Sequence, residues 1–416
     1  MTNSKNIPKR RFQNFESDGG WEQLKLGQHA NILTGGTPNT SILNYWEPKE
    51  IPWMSSGEVN KRRLDKTDNM ISKDGIRNSS ARWVKKHSIL IALAGQGKTR
   101  GMVAINNIPL TTNQSVAAIE PDKVLNYEFV FQNLSKRYNE LRMISSGDGT
   151  RGGLNKQIVS DILISCPNVI EQELIGTFFA DFDKYIILQQ HKLEKMKNLK
   201  KSYLNELFPT EGKRVPKRRF SGFEGEWEQK KLGDVGKTFT GLSGKTKVDF
   251  GHGDGVYVTY LNIYSNEIAN LRGLDKIEID DRQTEIKYGD VFFTTSSETP
   301  EEVGLSSVWK YDLANVYLNS FCFGFRPNVK FDIYFLAYLL RSPSFRASMK
   351  LLAQGISRYN ISKNRVLELN ILFPSLKEQE KIGKQLSLLD KNIALQQQKL
   401  DKLKDLKIAY LNELFV

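Results

Sequence analysis

The sequence is poor in cysteine and histidine, with two and four of them among 416 residues. Cys166 and Cys322 alone cannot form a disulfide framework, and the histidines lack the spacing of a metal site. No run of about 18 apolar residues is present, which excludes a membrane-spanning helix. The first residues are polar and basic, without the apolar core of a secretion signal. We therefore expect a cytoplasmic protein with no metal site and no membrane partner.

Catalytic signatures are also missing. The sequence contains neither Asn-Pro-Pro nor Asp-Pro-Pro, one of which an adenine amino-methyltransferase needs. Residues 92–99, which end in Gly97-Lys98-Thr99, resemble a relaxed P-loop. A true P-loop leads straight into a helix, whereas residues 102–105 predict another strand. We therefore expect no catalytic residue and no cofactor bound by this chain. A P-loop nucleotide hydrolase using Lys98 is the alternative.

Positive charge is in excess. The chain has 60 lysines and arginines against 47 acidic residues, a net charge of +13. This charge is spread through segments that look folded and is not gathered in a tail, so it indicates a structured basic surface. Such a surface favours polyanions, nucleic acid first. A coiled-coil scaffold that binds RNA satisfies the same composition and is a second alternative.

The sequence repeats itself. Residues 7–12 and 215–220 share Pro-Lys-Arg-Arg-Phe, and Trp-Glu-Gln follows each of them. Residues 167–208 match residues 374–415 without a gap, are identical at more than half of their positions, and end in the same Tyr-Leu-Asn-Glu-Leu-Phe. The stretches between the repeated blocks differ. This organisation predicts two half-molecules with a shared frame and different contents.

The longer repeated block predicts a long helix. From Glu171 and Glu378 onward there is no proline and little glycine, and good helix formers dominate. Apolar residues recur at alternating spacings of three and four, as in a coiled-coil seam. The seam is interrupted at equivalent polar positions in both copies, namely Gln189, Gln396, Lys200 and Lys407. Because polar seam residues can fix register and partner choice, their recurrence predicts that the two helices pair with each other.

The segments between the repeated blocks predict two domains of mixed helix and strand, an α+β class. Short β-prone runs bounded by turn residues include residues 88–93, 256–260 and 291–295, and residues 334–340 predict a helix. The predicted boundaries are 1–165 for the first domain, 166–208 for the first helix, 209–220 for a linker, 221–372 for the second domain and 373–416 for the second helix. Because the repeats follow each other head to tail, we expect the two termini to lie close together.

The unrepeated domains carry basic and aromatic loops that predict a DNA-contacting surface. Arg, Lys and Asn can make bidentate contacts with base edges, while Ser, Thr and backbone amides hold phosphates. In the first domain the candidates are Thr34, Gly36, Thr37, Asn39, Trp53, Ser55, Ser56, Lys61, Arg62, Arg63, Lys98, Arg100 and Arg151. In the second domain they are Ser243, Lys245, Tyr260, Asn262, Arg358, Tyr359 and Asn360.

These features together resemble the specificity subunit of a type I restriction-modification enzyme, over almost the whole chain. The matching pieces are the two Trp-Glu-Gln-x-Lys-Leu-Gly segments, the Thr-Gly-Gly-Thr-Pro loop at 34–38 with Ile-Pro-Trp at 51–53, the strand and loop at 91–98, and the Pro-x-x-x-Glu-Gln-Glu helix starts at Pro167 and Pro374.

The resemblance implies that each domain is a target-recognition domain, which reads one part of a bipartite sequence in double-stranded DNA. It implies that the two helices pack antiparallel as a spacer with pseudo-two-fold symmetry. Two modification subunits would bind S-adenosylmethionine and methylate adenine, and restriction subunits would add ATP- and Mg-dependent translocation and cleavage. This chain would itself be non-catalytic.

Overall fold

The computed structural model describes residues 6–95, 99–144 and 153–416. The chain divides into one unit of residues 1–190 and 399–416 and a second unit of residues 191–398. The units therefore cut through both long helices and do not follow the predicted domain limits at 165 and 373, because each half-helix packs on a different core. No helix in the described part is long and apolar enough to cross a membrane.

The first unit combines two sheets with short helices and a paired strand. Its elements are β1 (Glu22–Lys25), α1 (Leu26–His29), β2 (Ala30–Thr34), β3 (Ile51–Met54), β4 (Arg63–Leu64), β5 (Asn69–Ile71), α2 (Lys73–Arg77), β6 (Trp83–Val84), β7 (Ile89–Ala92), β8 (Val103–Asn106), β9 (Leu110–Thr112), β10 (Val116–Pro121), α3 (Tyr127–Lys136), α4 (Tyr138–Met143), α5 (Lys156–Ser160), β11 (Leu163–Cys166) and the start of α6 (Val169–Glu206), with 3-10 turns at Gln13–Phe15, Leu43–Tyr45 and Ser56–Lys61. The sheet orders are β2-β10-β7-β8-β4 and β5-β3-β9-β6, and β1 pairs with β11.

The second unit has the same plan. Its elements are the end of α6, β12 (Glu228–Lys231), β13 (Gly236–Thr240), β14 (Phe250–Val258), α7 (Tyr260–Ser265), β15 (Leu274–Ile277), β16 (Val291–Thr294), β17 (Ser296–Ser297), β18 (Ser306–Val308), β19 (Val316–Leu318), β20 (Cys322–Pro327), α8 (Ile333–Leu339), α9 (Pro343–Lys350), β21 (Tyr359–Asn360), α10 (Lys363–Leu367), β22 (Asn370–Phe373) and the start of α11 (Leu376–Leu414), with 3-10 turns at Leu232–Asp234, Lys247–Asp249 and Leu271–Gly273. Its sheet orders are β13-β20-β16-β18 and β15-β14-β19, and β12 pairs with β22 and β17 with β21.

Local sequence explains most of these elements. Strands β7 and β16 are buried at every residue, which is why each reads as a short apolar run without alternation. Residues 102–105, predicted as a strand, lie on β8 apart from Met102, so the segment after the P-loop-like sequence is not a helix. The predicted α+β class and the helix near residues 334–340 are confirmed.

Some element boundaries differ from those predicted. Residues 256–260 were expected to form one strand, but β14 ends at Val258 and Tyr260 begins α7. The reason is that Thr259 caps this helix by accepting the N–H of Asn262 at 3.3 Å. The first long helix begins at Val169, and Cys166 belongs to β11, where it pairs with Glu22.

The short helices α3 and α8 occupy equivalent places in the two units. Asn126 and Asp332 cap them, each accepting the backbone N–H three residues on, at 3.0 and 2.8 Å. The backbone N–H groups of these two caps donate in turn to the side chains of Gln172 and Gln379, at 2.9 and 3.1 Å. The glutamine in the repeated Glu-Gln-Glu sequence thus anchors a long helix to the short helix of its own unit.

The repeated basic segment holds the start of each long helix. Arg11 donates two hydrogen bonds to Glu171, at 2.8 and 2.6 Å, and Arg219 donates two to Glu378, both at 2.8 Å. The side chains of both glutamates are almost completely buried. These arginines therefore stabilise the frame, and their positive charge is neutralised inside it.

The last aromatic residue of each repeat closes a core. In the first unit, the ring of Phe415 lies 6.3 Å from Trp21, 5.0 Å from Phe129 and 5.8 Å from Phe179. In the second unit, the corresponding cluster is formed by Phe208, Trp227 and Phe335, with ring separations of 5.6 to 6.2 Å. The first core is therefore completed by the end of the second repeat, and the second core by the end of the first.

The two ends of the chain meet in the first unit. The backbone N–H of Arg10 donates to the carbonyl of Glu413 at 2.9 Å, and their side chains form an ion pair at 2.5 Å. The same two contacts join Arg218 to Glu206 in the second unit, also at 2.9 and 2.5 Å. The prediction that the termini lie close together is confirmed.

A circularly permuted protein should therefore fold. We expect a variant with residue 416 joined to the first residue by a short flexible linker, and opened between residues 208 and 216, to be soluble and to unfold near the parent's midpoint. Thermal unfolding followed by circular dichroism measures this. A matched permutant opened between residues 186 and 187, inside α6, should be strongly destabilised. Equal behaviour of the two permutants would contradict the expectation.

The long helices pair antiparallel within each unit. In the first unit, Phe178 contacts Tyr410 and Tyr185 lies 5.4 Å from the ammonium group of Lys399, so residue numbers rise on α6 as they fall on α11. Lys407 donates to Asp183 at 2.5 Å. In the second unit the equivalent residues exchange roles, and Lys200 contacts Asp390 at 2.7 Å. The predicted pairing of the two helices is confirmed within both units.

The aspartates of these ion pairs have further donors. Gln132 donates to Asp183 at 2.9 Å, and the equivalent Tyr338 donates to Asp390 at 2.6 Å. Burial opposes the ionisation of Asp183, but the positive charge of Lys407 and the hydrogen bonds outweigh it and lower its pKa. The seam lysines thus act as internal cations that are bonded to the opposite helix.

Candidate nucleic-acid interface

The Gly-rich loop after β2 is built on the interior of the first unit. Thr34 ends β2 and is half-buried. The N–H of Gly36 donates to the carbonyl of Thr112 at 2.8 Å, and its carbonyl accepts the indole N–H of Trp53 at 3.0 Å. A Cβ on Gly36 would lie 2.6 Å from the carbonyl carbon of Ser80. Gly36 and Trp53, predicted as DNA contacts, are therefore buried residues that position the loop.

The next residues of that loop are exposed. Thr37 donates to the side chain of Gln114 at 2.6 Å. The carbonyl of Asn39 accepts the indole N–H of Trp46 at 3.2 Å, and Trp46 packs edge-on against Trp53 at 5.2 Å. Thr37 and Asn39 thus present polar groups on a loop that two tryptophans hold in place.

Ser55, Ser56 and Lys61 lie on one 3-10 turn. Glu58 accepts the N–H of Ser55 at 3.1 Å and the ammonium group of Lys61 at 2.8 Å, and Asp68 lies 2.7 Å from the same ammonium group. Burial lowers the pKa of Lys61, but its bonds to Asp68 and Glu58 outweigh this and raise it. Lys61 is charged but already partnered.

The neighbouring arginines have different environments. Arg62 is exposed, adopts a φ of 61° and lies with its guanidinium 5.2 Å from the ring of Phe131. Arg63 donates both arms of its guanidinium to Glu128 and lies 3.4 Å from Asp183. Arg63, predicted as a DNA contact, is therefore an internal ion-pair residue, and Arg62 is the cation of this pair that faces solvent.

Three candidates of the first unit remain, namely Lys98, Arg100 and Arg151. Lys98 and Arg151 are outside the described residues. Arg100 is half-buried and follows β7 after the gap. Leu93 donates its backbone N–H to Ser115 at 2.8 Å, and its carbonyl accepts the N–H of Leu154 at 3.0 Å. Leu154, three positions after Arg151, therefore lies beside Leu93.

In the second unit, the loop with Ser243 and Lys245 folds onto residues 280–283. The backbone N–H and carbonyl of Ser243 both bond to the side chain of Gln283, at 3.0 and 3.1 Å. Lys245 forms an ion pair with Asp280 at 2.9 Å, and bonds from Arg282 and Lys245 hold the pKa of Asp280 well below its usual range. Lys245 therefore closes a loop, and the predicted DNA contact does not fit its neutralised environment.

Asn262 is likewise internal. Its side-chain amide donates to the carbonyls of Asn270 and Gly273, at 2.8 and 3.0 Å, and its oxygen accepts the N–H of Asn270 at 3.0 Å. Because it is almost completely buried and its hydrogen bonds are satisfied internally, it cannot contact a base edge. The prediction for Asn262 is wrong, and the residue positions the turn at Leu271–Gly273.

The structure brings Tyr260, Arg358, Tyr359 and Asn360 together. Strands β17 and β21 pair antiparallel, with Ser296 opposite Asn360 and Ser297 opposite Tyr359. Beside them lies a cleft of about 400 Å³, which we call the β17 cleft. It is lined by Tyr260, Leu261, Tyr264, Ser296, Ser297, Glu298, Glu302, Phe321 and Arg358.

The β17 cleft has a counterpart position in the first unit. Next to the cleft, Thr295 donates its N–H to the carbonyl of Phe321 at 3.2 Å and accepts the N–H of Ile361 at 3.0 Å. Leu93 makes the same two bonds in the first unit, to Ser115 and from Leu154. Leu93 and Thr295 thus hold equivalent places in the two units, and the residues that follow them differ in sequence.

Sequence reasoning missed several lining residues of the β17 cleft. Leu261 and Phe321 are 70% and 67% exposed, and Tyr264 stacks on Tyr260 with ring centres 6.1 Å apart. Glu302 accepts the hydroxyl of Tyr264 at 2.6 Å. The available signal was the Thr259 cap, because tyrosines four residues apart share a face only on a helix. Among described residues, no group of His, Cys, Asp and Glu could hold a metal ion.

Comparison with known proteins identifies relatives along the whole chain. A family model described as "Type I restriction modification DNA specificity domain" matches residues 18–198 and again 224–405. The EcoR124I/EcoR124II specificity subunit of Escherichia coli is 22% identical over 191 residues, or 44% of this chain. The MjaVIII specificity subunit of Methanocaldococcus jannaschii is 22% identical over 429 residues, which cover 94% of this chain and 91% of that subunit.

The extent of these matches varies. The chain spans about half the length of the Escherichia coli relative and of a second specificity subunit, 47% and 52%. The crystal structure of a type I restriction-modification system S subunit from M. genitalium has a TM-score of 0.62 at 14% identity, and the match covers 99% of both chains. This likeness shows a common fold over the full length of the chain.

Proposed function

This chain belongs to the family of type I restriction-modification DNA specificity subunits, and from that premise we propose that its two halves read the two parts of a bipartite DNA target. The observation that carries the proposal is the combination of a repeated frame with unlike loops at equivalent sheet edges. The repeated blocks carry the loops of each unit in an equivalent position. Because the loop residues differ between the units, each unit has its own base preference. An asymmetric target needs such a pair of readers.

The polar groups at these edges support the proposal. Thr37 and Asn39 are exposed in the first unit, as is Arg358 in the second. Hydroxyl and amide groups can hold phosphates, and arginine forks can read guanine or bind phosphate. The net charge of +13 favours binding to the duplex.

We further propose that the repeated helices dock two modification subunits, and through them restriction subunits. Leu188 on α6 and its equivalent Leu395 on α11 are 61% and 63% exposed, and Leu199 and Leu406 form a second exposed pair. Each unit thus carries one leucine from each pair, which suits two equal apolar contacts. S-adenosylmethionine, ATP and Mg would be bound by these partners in the cytoplasm, and this chain would be non-catalytic.

Modified-base sequencing tests the proposed function. We expect DNA from cells that express this chain with its modification subunit to carry methyladenine in one bipartite motif. Exchanging residues 30–160 for the same segment of a relative should change one part of that motif and leave the other intact. An unchanged motif, or a change in both parts, would contradict the assignment of one reader to each half.

The alternatives give different results. If the chain were a nucleotide hydrolase using Lys98, Lys98→Ala would abolish nucleotide binding by the purified chain, whereas we expect the parent to bind none. If it bound RNA, structured RNA would compete with duplex DNA at equal salt. We expect duplex DNA that contains the motif found by modified-base sequencing to bind more tightly than structured RNA.

A further inference from the structure

The β17 cleft combines an aromatic wall with two charged side chains that can read base edges. Tyr260 and Tyr264 form a stacked pair on α7, with ring planes 21° apart. Glu302 has one carboxylate oxygen bonded by Tyr264 at 2.6 Å and lies half-buried on the opposite wall. Arg358 is exposed at the rim, and among the described residues no carboxylate lies within ion-pair distance of it.

The other cations near the cleft each donate to a protein group, either a carboxylate or a backbone carbonyl. Lys350 pairs with Glu301, and Arg341 and Arg346 donate to backbone carbonyls. Lys245, on the neighbouring loop, is held by Asp280. A guanidinium left without a carboxylate, next to aromatic rings, keeps its donor fork available for a ligand.

Two arginines behind the cleft fix its walls. Arg341 donates to the carbonyls of Ile263, Tyr264 and Asn266, at 2.7, 3.1 and 3.0 Å, and so holds the end of α7. Because this end carries Tyr264, the bond from Tyr264 to Glu302 is held in a defined place. The cleft wall on α7 is therefore organised before any ligand binds.

The opposite wall is fixed in the same way. Arg346 donates to the carbonyls of Glu301, Val303 and Gly304, at 2.9, 2.6 and 2.7 Å. These carbonyls flank Glu302, so its carboxylate points from an anchored turn. Arg341 and Arg346 are therefore positioning residues. The exposed apolar side chains of Leu261 and Phe321 complete the lining of the β17 cleft.

We propose that the β17 cleft is the base-reading site of the second unit, in which Arg358 donates to O6 and N7 of a guanine and Glu302 accepts the exocyclic amino group of a cytosine. The proposal rests on the proposed function and adds the base class to it. A guanidinium fork matches the two acceptors of guanine in the major groove, and a carboxylate matches the N4 donor of cytosine. Tyr260 and Tyr264 supply the rigid wall beside the bases.

The test uses modified-base sequencing of DNA from cells that express the full chain and its modification subunit. We expect the part of the motif read by the second unit to contain both guanine and cytosine. Arg358→Ala should relax the guanine position, and Glu302→Gln the cytosine position, each by about 10- to 100-fold in discrimination. The part read by the first unit should stay unchanged in both variants.

Arg358→Lys separates base reading from phosphate binding. Lysine keeps the charge but not the fork, so this variant should lose discrimination at the guanine while keeping the salt dependence of binding. The control is Lys330→Ala, which removes a positive charge from the same unit at the other end of β20 from the cleft. This control should leave the motif as it is.

The outcomes are distinct. If Arg358→Ala lowers methylation at every site alike and the motif stays the same, Arg358 is a phosphate contact and the proposal is overturned. It is also overturned if the second part of the parent motif lacks guanine or cytosine. Absence of any bipartite motif with the parent chain would instead contradict the proposed function. Thermal unfolding of each variant excludes loss of fold as the cause.

Discussion

Phe415→Ala is expected to lower the free energy of unfolding of the first unit by about 3–5 kcal/mol. Although Phe415 is the second-last residue of the chain, it is only 2% exposed. Its ring lies between Trp21, Phe129 and Phe179, so truncation leaves a cavity among aromatic side chains. Denaturant unfolding followed by tryptophan fluorescence measures the loss, because Trp21 reports directly on this core.

The neighbouring residue supplies the control. Val416 is 48% exposed, and Val416→Ala should change the stability by less than about 0.5 kcal/mol. Phe208→Ala, the equivalent change in the second unit, should cost about as much as Phe415→Ala. Equal stability of Phe415→Ala and the parent would show that the chain end does not close the first core.

Asp183→Ala is expected to cost about 3–5 kcal/mol, because it leaves a buried ammonium group without its partner. The side chains of Asp183 and Lys407 are 13% and 10% exposed, and they are 2.5 Å apart. Arg62 and Arg63 lie near enough to repel Lys407. Removing the carboxylate therefore leaves this positive charge without a neutralising partner in a place that solvent screens poorly. Denaturant unfolding of the full chain measures the loss.

A double variant and a pH series test the cause. Asp183→Leu with Lys407→Leu should recover at least about half of the loss, since an apolar pair needs no desolvation of charge. The pKa of Asp183 is lowered in the folded state, so its contribution is complete above the unfolded pKa of about 3.9 and is lost as the pH falls through the lower folded value. The gap between parent and Asp183→Ala should therefore be constant between about pH 5 and about pH 7 and narrow below about pH 4. A gap that widens in acid would contradict the ion-pair explanation.

The frame could be predicted from the sequence because its signals are local or repeated. The heptad spacing needs only neighbouring residues, and the second copy confirms the pattern of the first. The pairing of the two helices was implied as well, since polar residues recur at the same seam positions, as Lys200 and Lys407 do. The meeting of the chain ends followed from the order of the repeats alone.

The reading surfaces were less predictable because their charges are neutralised by distant residues. Arg63 bonds to Glu128, 65 positions along the chain, and Lys245 bonds to Asp280. Neither separation has a period that a sequence pattern could show. Asn262 looked like a loop amide because the Thr259 cap, which starts a helix there, was overlooked. Sequence thus found the loops but could not separate ligand-facing side chains from those that hold the loops in place.

The exchange of closing residues between the repeats has a genetic consequence. Each core is finished by the tail of the other copy, through Phe208 in one case and Phe415 in the other. The ends of the two repeats are identical over six residues. DNA recombination within the repeated blocks would therefore exchange a whole recognition domain, and each terminal phenylalanine would still pack in an equivalent aromatic core. The repeated blocks are therefore suitable crossover points, because the aromatic contacts that close each core do not depend on which copy supplies the tail.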